Sequence, residues 1–550
     1  RDSSTSRGLG DVYKRQSVIS IANNVFSGMD QLEKFVLEDG NPAYVVEDDC
    51  LYSTGGMLMS IPVGKTFENE TFVVPSGKTL QSYVFNGCDS IKILDMSQSG
   101  IVELPTYVFA AFYGVEEIIL PDTLEAIPNY AFYKCNVSKL VIPESVKSIG
   151  NYAFQYAGGL ESYTVPYRED LTIGTYLFQY STVKSVTFEE GYEQIPNSTF
   201  AYCEELTEVK MPSTINWIGS YAFRGCLSLE TIDIPANVVN MCAVTTSAIT
   251  KTSIGYIFYD CTALKTVNFL GNKVENIGTY SFYNTPALET INLPSSLENL
   301  GNYAFKQSGI KNIVIDGDFM GTYTFQGTTA LESVTFTDNV TSIPDYTFLE
   351  NTSLKSIVLP ASMKSVGNNA FKGCTALEEV KFLSDEITIG SAAFLGATAL
   401  ETVVFPAGAT SVTFSAQCFE DCSSLAVFTI PSVVTAIPAN AFKNSGLTSV
   451  TVPASVRSIG YGAFEGCSSM TVLRLTEGLE SIGDNAFYGC SSVSFVAVPA
   501  SVYDMGENAF YGWTSAQKVN VVGRPYDVAQ MWNVGWANNC AAPITWEYKA

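Results

Sequence analysis

Histidine is absent from this chain of 550 residues. Its absence removes the usual general base, the Ser-His-Asp and Cys-His pairings of nucleophilic enzymes, and the commonest zinc ligand. Carboxylate pairs, lysine and tyrosine remain available for catalysis, but the sequence favours a protein that is not an enzyme. It predicts no catalytic residue, no metal site and no cofactor.

Positive charge is also scarce, since 30 Lys and Arg stand against 55 Asp and Glu, for a formal net charge of −25. Phosphate binding needs clustered Lys and Arg, so this balance argues against nucleic acid as a partner. The sequence contains no apolar run of the roughly 18 residues that span a membrane. With 46% hydrophobic residues the chain can nevertheless bury a large core.

The first sixteen residues differ in character from the rest. Residues 6–16 resemble a translated adapter used in preparing DNA libraries, and we treat 1–16 as a non-native leader. On this interpretation the native start is missing, and the lack of a signal peptide carries no information.

A phenylalanine, usually preceded by Ala, recurs mostly every 22 to 24 residues, and Phe26 is an earlier, isolated copy. Self-similarity at one fixed period predicts a solenoid, in which each coil contacts only its neighbours. The repeated phenylalanines are Phe85, Phe109, Phe132, Phe154, Phe178, Phe200, Phe223, Phe258, Phe282, Phe305, Phe325, Phe348, Phe371, Phe394, Phe419, Phe442, Phe464, Phe487 and Phe510.

Each repeat has two halves with different patterns. The second half alternates apolar and polar residues and ends in proline, as at Val209, Met211 and Pro212, which predicts one short strand per coil. Such strands form one parallel sheet with a spacing of about 4.8 Å and an open concave face. The first half places Gly or Pro four residues before the Phe. Because Pro is favoured where a helix begins, this half is predicted to be one helical turn, with negative φ at glycines such as Gly150.

Nine of the 13 cysteines lie three residues after the repeated Phe. Other coils place Ala, Ser or Thr there, so the position selects a small residue. Free, buried thiols are the favoured interpretation, with disulfides between neighbouring coils as the alternative.

The consensus Leu-x-x-Val-x-Ile-Pro-x-x-Val-x-x-Ile-Gly-x-x-Ala-Phe-x-Gly-Cys resembles the BspA-like, or Treponema pallidum type, leucine-rich repeats. The resemblance runs from Ser17 to about Gln517. It implies a leucine-rich-repeat solenoid, a right-handed coil of about 20 repeats, with one parallel β-sheet on the concave face and short helical turns and loops opposite. Little regular α-helix is expected.

Four regions are predicted along the chain. They are the leader at 1–16, an irregular amino-terminal repeat with an inserted hairpin at 17–80, the array at 81–517 with an insertion at about 238–253, and a carboxyl-terminal cap at 518–550. In the cap, Val528, Trp532, Trp536 and Cys540 recur every four residues, which predicts a helix beginning near Asp527. A strand is predicted at 544–548.

Two further patterns have structural interpretations. Gly64-Lys65-Thr66 and Gly77-Lys78-Thr79 lack the upstream Gly of a phosphate-binding loop, so neither is predicted to bind phosphate.

Charge alternates at one strand position through seven coils. This pattern predicts an ion-pair ladder that holds the coils in register, in preference to a ligand site. Its members are Glu230, Lys265, Glu289, Lys311, Glu332, Lys355 and Glu378.

The open face of the sheet carries mainly Thr, Ser, Asn and Val. Solvated strand residues are the simpler interpretation, but these positions are free of the packing demands of the repeat and are the candidate partner-binding surface. The candidates are Thr231, Asp233, Thr266, Asn268, Thr290, Asn292, Ser333 and Thr335.

The family resemblance implies a secreted or surface-displayed bacterial protein that takes part in adhesion. The expected partner is an extracellular protein, from a host matrix or another microbe. Two alternatives stay open: a glycan-binding or glycan-processing accessory protein, and a purely structural surface protein without a dedicated ligand.

Overall fold

The computed structural model describes residues 11–14, as backbone only, together with 18–243, 249–523 and 532–547. The chain is a parallel β-solenoid of about 21 turns, of the leucine-rich-repeat type. Within the described residues its one helical element is the short 3-10 helix Glu68–Glu70. Two compact units are described separately below: residues 1–246 with 254–274 form the first, and residues 247–253 with 275–550 form the second.

The amino-terminal part contains the inserted hairpin that the family resemblance implied. Strands Tyr44–Glu47, Cys50–Ser53 and Met57–Ser60 pair in antiparallel order. Before them, Asp11–Lys14 pairs in parallel with Lys34–Leu37. Residues 1–10 and 15–16 of the predicted leader lie outside the described residues.

The strands of the predicted sheet, here called long strands, pair in parallel one coil apart and alternate exposed and buried residues. Their inward side chains are mainly Val, Ile, Leu and Phe because apolar groups gain from burial there. In the first unit they are Thr71–Val73, Ile93–Asp95, Glu117–Ile119, Lys139–Leu140, Ser162–Val165, Ser185–Phe188, Glu208–Lys210, Thr231–Ile234 and Thr266–Phe269. In the second unit they are Asn312–Ile315, Ser333–Phe336, Ser356–Leu359, Glu379–Phe382, Thr402–Val404, Ser449–Thr451, Val472–Arg474, Phe495–Val498, Lys518–Val522 and Ile544–Glu547.

A second set, here called short strands, was not predicted from the sequence, which indicated one strand per coil. It forms where an apolar residue, in most coils a buried Ile, Leu, Val or Met, precedes the position that is usually Gly or Pro, and it also pairs in parallel from coil to coil. In the first unit the short strands are Thr79–Leu80, Ala126–Ile127, Ser148–Ile149, Thr172–Ile173, Gln194–Ile195, Trp217–Ile218 and Asn240–Met241. In the second unit they are Asn276–Ile277, Asn299–Leu300, Ser342–Ile343, Ser365–Val366, Glu386–Ile389, Ser411–Phe414, Ala436–Ile437, Ser458–Ile459, Ser481–Ile482 and Asp504–Met505.

The repeated phenylalanines form a stacked column in each unit. Neighbouring ring centroids lie 5.0 Å apart at Phe109–Phe132 and 5.3 Å apart at Phe305–Phe325, and Phe132 and Phe305 are fully buried. Burial of each ring is worth roughly 1.5–3 kcal/mol, so the column is the main apolar core of the coil. Phe26 is also buried, but it belongs to a separate cluster and contacts Phe35.

The predicted helical turn is wrong. Tyr130 and Tyr152, which lie two residues before the repeated Phe, have φ of +58°, in the left-handed region that a right-handed helix cannot contain. The segment is a tight turn, closed in one coil by the Ala131 N–H donating to the Pro128 carbonyl at 3.3 Å. The turns bond from coil to coil as well, since the Tyr130 N–H donates to the Asn151 carbonyl at 3.1 Å.

The prediction for the glycines of this turn holds, although the reason differs. Gly150, Gly219, Gly367, Gly460 and Gly483 all lie outside the left-handed region. Each lies so close to the preceding coil that a Cβ has no room. At Gly150 such an atom would lie 2.5 Å from the Asn129 backbone nitrogen. Glycine is present here because the backbones approach closely.

The cysteines are free, and in the coil interior their thiols donate hydrogen bonds. Cys203 Sγ lies 2.9 Å from the Phe178 carbonyl, and Cys467 Sγ lies 3.0 Å from the Phe442 carbonyl of the preceding coil. Thr328 makes the same bond to Phe305 at 2.9 Å. The position therefore favours a small donor as well as a small volume. Burial raises the pKa of the Cys203 thiol to about 12, which keeps it protonated.

Aromatic residues cover the last coil. Trp532 is buried, and its indole N–H donates to the Val502 carbonyl at 3.3 Å. The strand predicted at 544–548 is present as Ile544–Glu547. The predicted helix is wrong where it can be seen, because residues 534–539 form turns. Its start at Asp527 and Val528 lies outside the described residues.

Candidate protein-binding surface

Four of the eight candidate residues form one patch in the first unit. Thr231 pairs with Thr266 and Asp233 with Asn268 on adjacent long strands, and all four side chains are exposed. Asn268 Nδ2 donates to Asp233 Oδ1 at 2.8 Å. Thr231 and Asp233 line a groove of about 710 Å³ together with Leu270 and other residues of the same unit.

The other four candidates meet in the second unit. Thr290, Asn292, Ser333 and Thr335 are exposed and line a groove of about 410 Å³. The groove combines hydroxyl and amide groups with an apolar wall that includes Val314, whose exposed fraction is 57%. A surface with small hydrogen-bonding groups beside an apolar wall matches the usual mixture at protein interfaces.

Apolar side chains on the same open face follow from the register of the long strands. In the second unit Val358 pairs with Lys381, which pairs in turn with Val404, so one row across the sheet reads Val, Lys, Val. Val358 is half-exposed and Val404 is also exposed. Val at these positions is not among the residues predicted from the sequence to bind a partner.

The predicted charge ladder is present in part: two of its lysines make ion pairs within their own unit, whereas Lys355 makes none with a carboxylate of the described residues. Lys265 Nζ lies 2.8 Å from a Glu230 carboxylate oxygen, and Lys311 Nζ lies 2.8 Å from Glu289. All four side chains are well exposed, so each pair contributes only about 0–1 kcal/mol. The ladder extends beyond the predicted run, since Lys184 and Glu161 make the same contact at 2.8 Å.

The two Gly-Lys-Thr runs use their lysines to hold the hairpin. Lys65 Nζ lies 2.8 Å from Asp49 Oδ2, and Lys78 Nζ lies 2.7 Å from Glu47 and 4.5 Å from the centre of the Tyr52 ring. Both ammonium groups are therefore paired with carboxylates, as expected of structural lysines.

The predicted insertion at about 238–253 is only partly described, since residues 244–248 lie outside the described residues. On one side of it the Ala243 N–H donates to the Ile254 carbonyl at 2.6 Å. On the other side Lys251 Nζ donates to the Asp318 carbonyl at 2.7 Å, and burial lowers the pKa of Lys251.

Stacked tyrosines on the turn side are a feature that was not predicted from the sequence. Tyr107, Tyr130, Tyr152 and Tyr176 occupy one position of consecutive coils on the turn side, with ring centroids 4.5–4.7 Å apart. Its signal in the sequence is the Tyr two residues before the repeated Phe, in the segment for which a helical turn is predicted.

The fold and its exposed polar rows define a class of protein. A solenoid of parallel strands, with its apolar residues committed to the interior and small polar groups lining shallow grooves, is a leucine-rich-repeat scaffold. Such proteins generally bind proteins, and their fold is typically non-catalytic. In the described part of the chain, no helix has the length and hydropathy needed to span a bilayer.

The chain belongs to the family of BspA type leucine-rich repeat regions. The family model matches in six copies, over residues 65–161, 171–244, 240–351, 318–448 and 412–526. The search of curated proteins found no match to this chain.

Several solved structures are similar to this chain. A leucine-rich repeat protein from Bacteroides ovatus is 20% identical, with 87% of this chain and 97% of that chain covered and a TM-score of 0.35. A leucine rich cell surface protein from Faecalibacterium prausnitzii is 19% identical, with 90% and 96% covered and a TM-score of 0.27. The T. pallidum leucine rich repeat protein is 21% identical, with 44% and 86% covered and a TM-score of 0.20.

Proposed function

We propose that this protein is a non-catalytic scaffold outside the cell, and that it binds an extracellular protein through the open face of its long strands. The observation that carries the proposal is the exposure of all eight candidate side chains, six of which line two grooves beside apolar residues. Membership of a family of binding scaffolds supports it. Adhesion to a host matrix protein or to another microbe is the role we propose.

Small polar side chains suit this role because they leave the backbone of the sheet accessible to a large, flat partner. Thr and Asn also lose little side-chain entropy when a partner covers them. Binding spread over many such coils accumulates affinity without one deep pocket. The shallow grooves of the two units fit a protein surface better than a small molecule, whose sites usually enclose most of the ligand.

The test replaces Thr266, Asn268, Thr290 and Asn292 with Arg. The purified chain is first assayed against immobilised extracellular-matrix proteins and, in parallel, against immobilised glycans. The Arg variant should remain folded, because the four positions are exposed, and should lose at least tenfold in affinity for the matrix protein that the parent chain binds.

The matched control adds the same charge on exposed loops away from the open face, and it should bind as the parent does. Its substitutions are Thr375→Arg, Ser424→Arg, Ser468→Arg and Ser491→Arg. Equal loss in both variants, or binding to glycans alone, would contradict the proposal.

A further inference from the structure

Tyrosines form two rows on the turn side of the first unit, away from the open face of the long strands. The first row comprises Tyr83, Tyr107, Tyr130, Tyr152 and Tyr176, and the second comprises Tyr156, Tyr180 and Tyr202. Tyr133 joins the rows at one end, because its ring contacts those of Tyr130 and Tyr156 at 6.2 and 5.7 Å. We call the two rows together the tyrosine surface.

Stacking decides which groups of these tyrosines a partner can reach. In the second row the rings are 4.7 Å apart and within 3° of parallel, so each ring face is covered by the next. A sugar ring needs an open aromatic face on which to stack, and the interior of these rows offers none. Ring edges and phenol hydroxyls remain, since Tyr156 and Tyr180 are 41% and 37% exposed. Burial raises the pKa of Tyr152 and Tyr180, so these hydroxyls are donors at neutral pH.

This surface carries no negative charge in its turn segments, whereas the whole chain is strongly acidic. No Asp or Glu occurs in its turn segments, which are residues 82–88, 105–112, 128–135, 150–157, 174–181, 196–203 and 219–226. Two cations lie at the ends of the second row instead. Lys134 Nζ lies 5.7 Å from the Tyr156 ring centre, and the Arg224 guanidinium lies 5.2 Å from that of Tyr202. A partner rich in hydrogen-bond acceptors, with acidic groups at its ends, is complementary to such a surface.

The second unit provides a contrast within the same chain. Tyr280, Tyr303, Tyr323 and Tyr346 stack at 4.3–4.7 Å, but the position of the second row holds other residues there, such as Gln307 and Glu350. Carboxylates also enter its turn segments, as at Asp345 and Glu350. Stacking alone is therefore a property of the repeat, whereas the paired, carboxylate-free rows are particular to the first unit.

We propose that the tyrosine surface binds a proline-rich peptide in the polyproline II conformation. This helix repeats about every 9 Å, with three residues per turn and about 3.1 Å per residue, and its carbonyls make no internal hydrogen bonds. Two steps of 4.7 Å along the tyrosine rows cover the same distance. A polyproline II helix lying along the rows thus presents the same face to every second coil, and its carbonyls accept from the phenol hydroxyls. Aromatic-lined surfaces are a recurrent binding mode for such peptides.

The two cations set the length of the peptide. Lys134 and Arg224 are separated by four coil steps, or roughly 20 Å. Six prolines with a glutamate at each end span about the same length at about 3.1 Å per residue. The probe is therefore this fluorescently labelled hexaproline peptide with its two terminal glutamates. The comparison peptide replaces the prolines with alternating Gly and Ser at the same charge and length.

Fluorescence anisotropy with the full chain tests the proposal. The proline peptide should bind at least tenfold more tightly than the Gly-Ser peptide, because its conformation is set before binding. Tyr152→Phe, Tyr176→Phe and Tyr180→Phe combined keep the ring stack and remove three donors, which should weaken binding about tenfold. The control combines Tyr303→Phe, Tyr323→Phe and Tyr346→Phe in the second unit, and it should bind as the parent does.

A charge variant provides an independent readout. Gln155 and Gln179 directly precede Tyr156 and Tyr180 of the second row, and Gln155 Nε2 donates to Gln179 Oε1 at 2.7 Å. Gln155→Glu with Gln179→Glu should weaken binding of the glutamate-ended peptide several-fold and strengthen binding of a hexaproline peptide with a lysine at each end. The control Gln326→Glu, in the second unit, should change neither affinity.

Three outcomes overturn the proposal. The first is equal affinity for the proline and Gly-Ser peptides, and the second is equal weakening by the two sets of Phe substitutions. The third is absence of binding up to about 1 mM, the weak end of specific recognition.

Discussion

Glycine at the turn of each coil shows how closely consecutive backbones pack. A Cβ added to Gly150 would lie 2.5 Å from the Asn129 backbone nitrogen, and one added to Gly460 would lie 2.7 Å from the Ala439 backbone nitrogen. A methyl group at Gly460 meets only backbone, whereas one at Gly150 also meets Asn129 Oδ1 at 2.5 Å, which accepts a hydrogen bond from the Asn151 N–H. Atoms that are hydrogen-bonded to a neighbouring coil yield little. Conformational freedom is not what these glycines provide.

The first prediction compares two glycines that both lie outside the left-handed region. Gly150→Ala should lower the free energy of unfolding by about 1–3 kcal/mol through overpacking. Gly408→Ala, where no atom lies within 4 Å of the added Cβ, should be neutral or stabilise by about 0.4–1 kcal/mol, because it restricts only the unfolded chain. Urea denaturation measures both. Equal midpoints for the two variants would show that the contact at Gly150 relaxes without cost.

Tyrosine in the left-handed region is the second residue-scale feature. The conformation is unfavourable for a bulky residue, by about 1 kcal/mol or more. Each such tyrosine gains a stacked neighbour in compensation, as at Tyr303–Tyr323, 4.6 Å apart. A turn with this geometry is therefore stable only in an array, because a single coil would have the unfavourable backbone conformation without the stacking contact that compensates for it.

At the scale of the element, main-chain bonds and side-chain rows repeat together. The short strands carry only two residues each in most coils, too few to be stable alone, but each pairs with the equivalent strand of the next coil. Asn side chains add to this pairing. Asn151 Oδ1 accepts from the Thr175 N–H at 2.8 Å, and Asn368 Oδ1 accepts from the Ser391 N–H at 2.8 Å. These bonds fix the register of one coil on the next.

The ion-pair rows on the long strands make a second, pH-dependent prediction. The hydrogen bond from Lys184 lowers the pKa of Glu161. A carboxyl group whose pKa is lower in the folded state than in the unfolded state stabilises the protein at pH values above the ordinary carboxyl pKa of about 4.3. That stabilisation is lost as the pH falls through the lowered pKa. Both side chains are well exposed, so the effect is small. Glu161→Gln should lower Tm by about 1 °C or less at pH 7 and by nothing measurable at about pH 2.

Exposed Glu144 supplies the control for this prediction. Glu144→Gln removes the same charge at a position away from the ion-pair rows, and it should leave Tm unchanged at both pH values. Thermal unfolding followed by circular dichroism measures the three proteins. A larger loss at the acidic pH than at neutral pH for Glu161→Gln would contradict the sign of the argument.

At the scale of the whole molecule, stability in a solenoid is a sum over coils and their interfaces. Within each unit, the coils of the Phe column bury their rings completely and each ring contacts the next, as at Phe442–Phe464, 5.4 Å apart. The ring of each coil depends on those of its neighbours for this burial. Substitutions should therefore interact only when their coils are neighbours.

The third prediction tests this locality within the second unit. Phe305→Ala and Phe464→Ala should each cost about 3–5 kcal/mol, and the double variant should show the sum to within about 0.5 kcal/mol because the two rings share no neighbour. Phe305→Ala with Phe325→Ala, whose rings lie 5.3 Å apart, should depart from the sum by about 0.5–3 kcal/mol. Phe495→Ala, at a side chain that is 46% exposed, is the control and should cost little.

Denaturation with urea measures these costs, and unfolding followed by both tyrosine fluorescence and far-UV circular dichroism checks that the two signals agree. Coupling between Phe305 and Phe464 as large as that between Phe305 and Phe325 would contradict the one-dimensional description. It would show that the second unit responds as a single rigid core.

Apolar periodicity in the sequence is sufficient to specify the repeat, its core and its long strands. The Phe column, the alternation at Thr231–Ile234 and the burial of the cysteines all follow from it, because it depends only on the local choice of residue. The family resemblance, which the family model later confirmed, rests on the same periodicity. Exposure of Thr266 and Asn268 follows from the alternation too, because neighbours along a strand point to opposite faces.

Contacts between coils, by contrast, are set only in the folded molecule. The left-handed Tyr152, the close contact at Gly150 and the short strands depend on the backbone of the adjacent coil, which lies about 23 residues away and leaves no mark on local propensity. The positions of the tyrosines and the absence of carboxylates around them can be read from the sequence, but the stacking of their rings cannot, because it exists only once one coil lies on another.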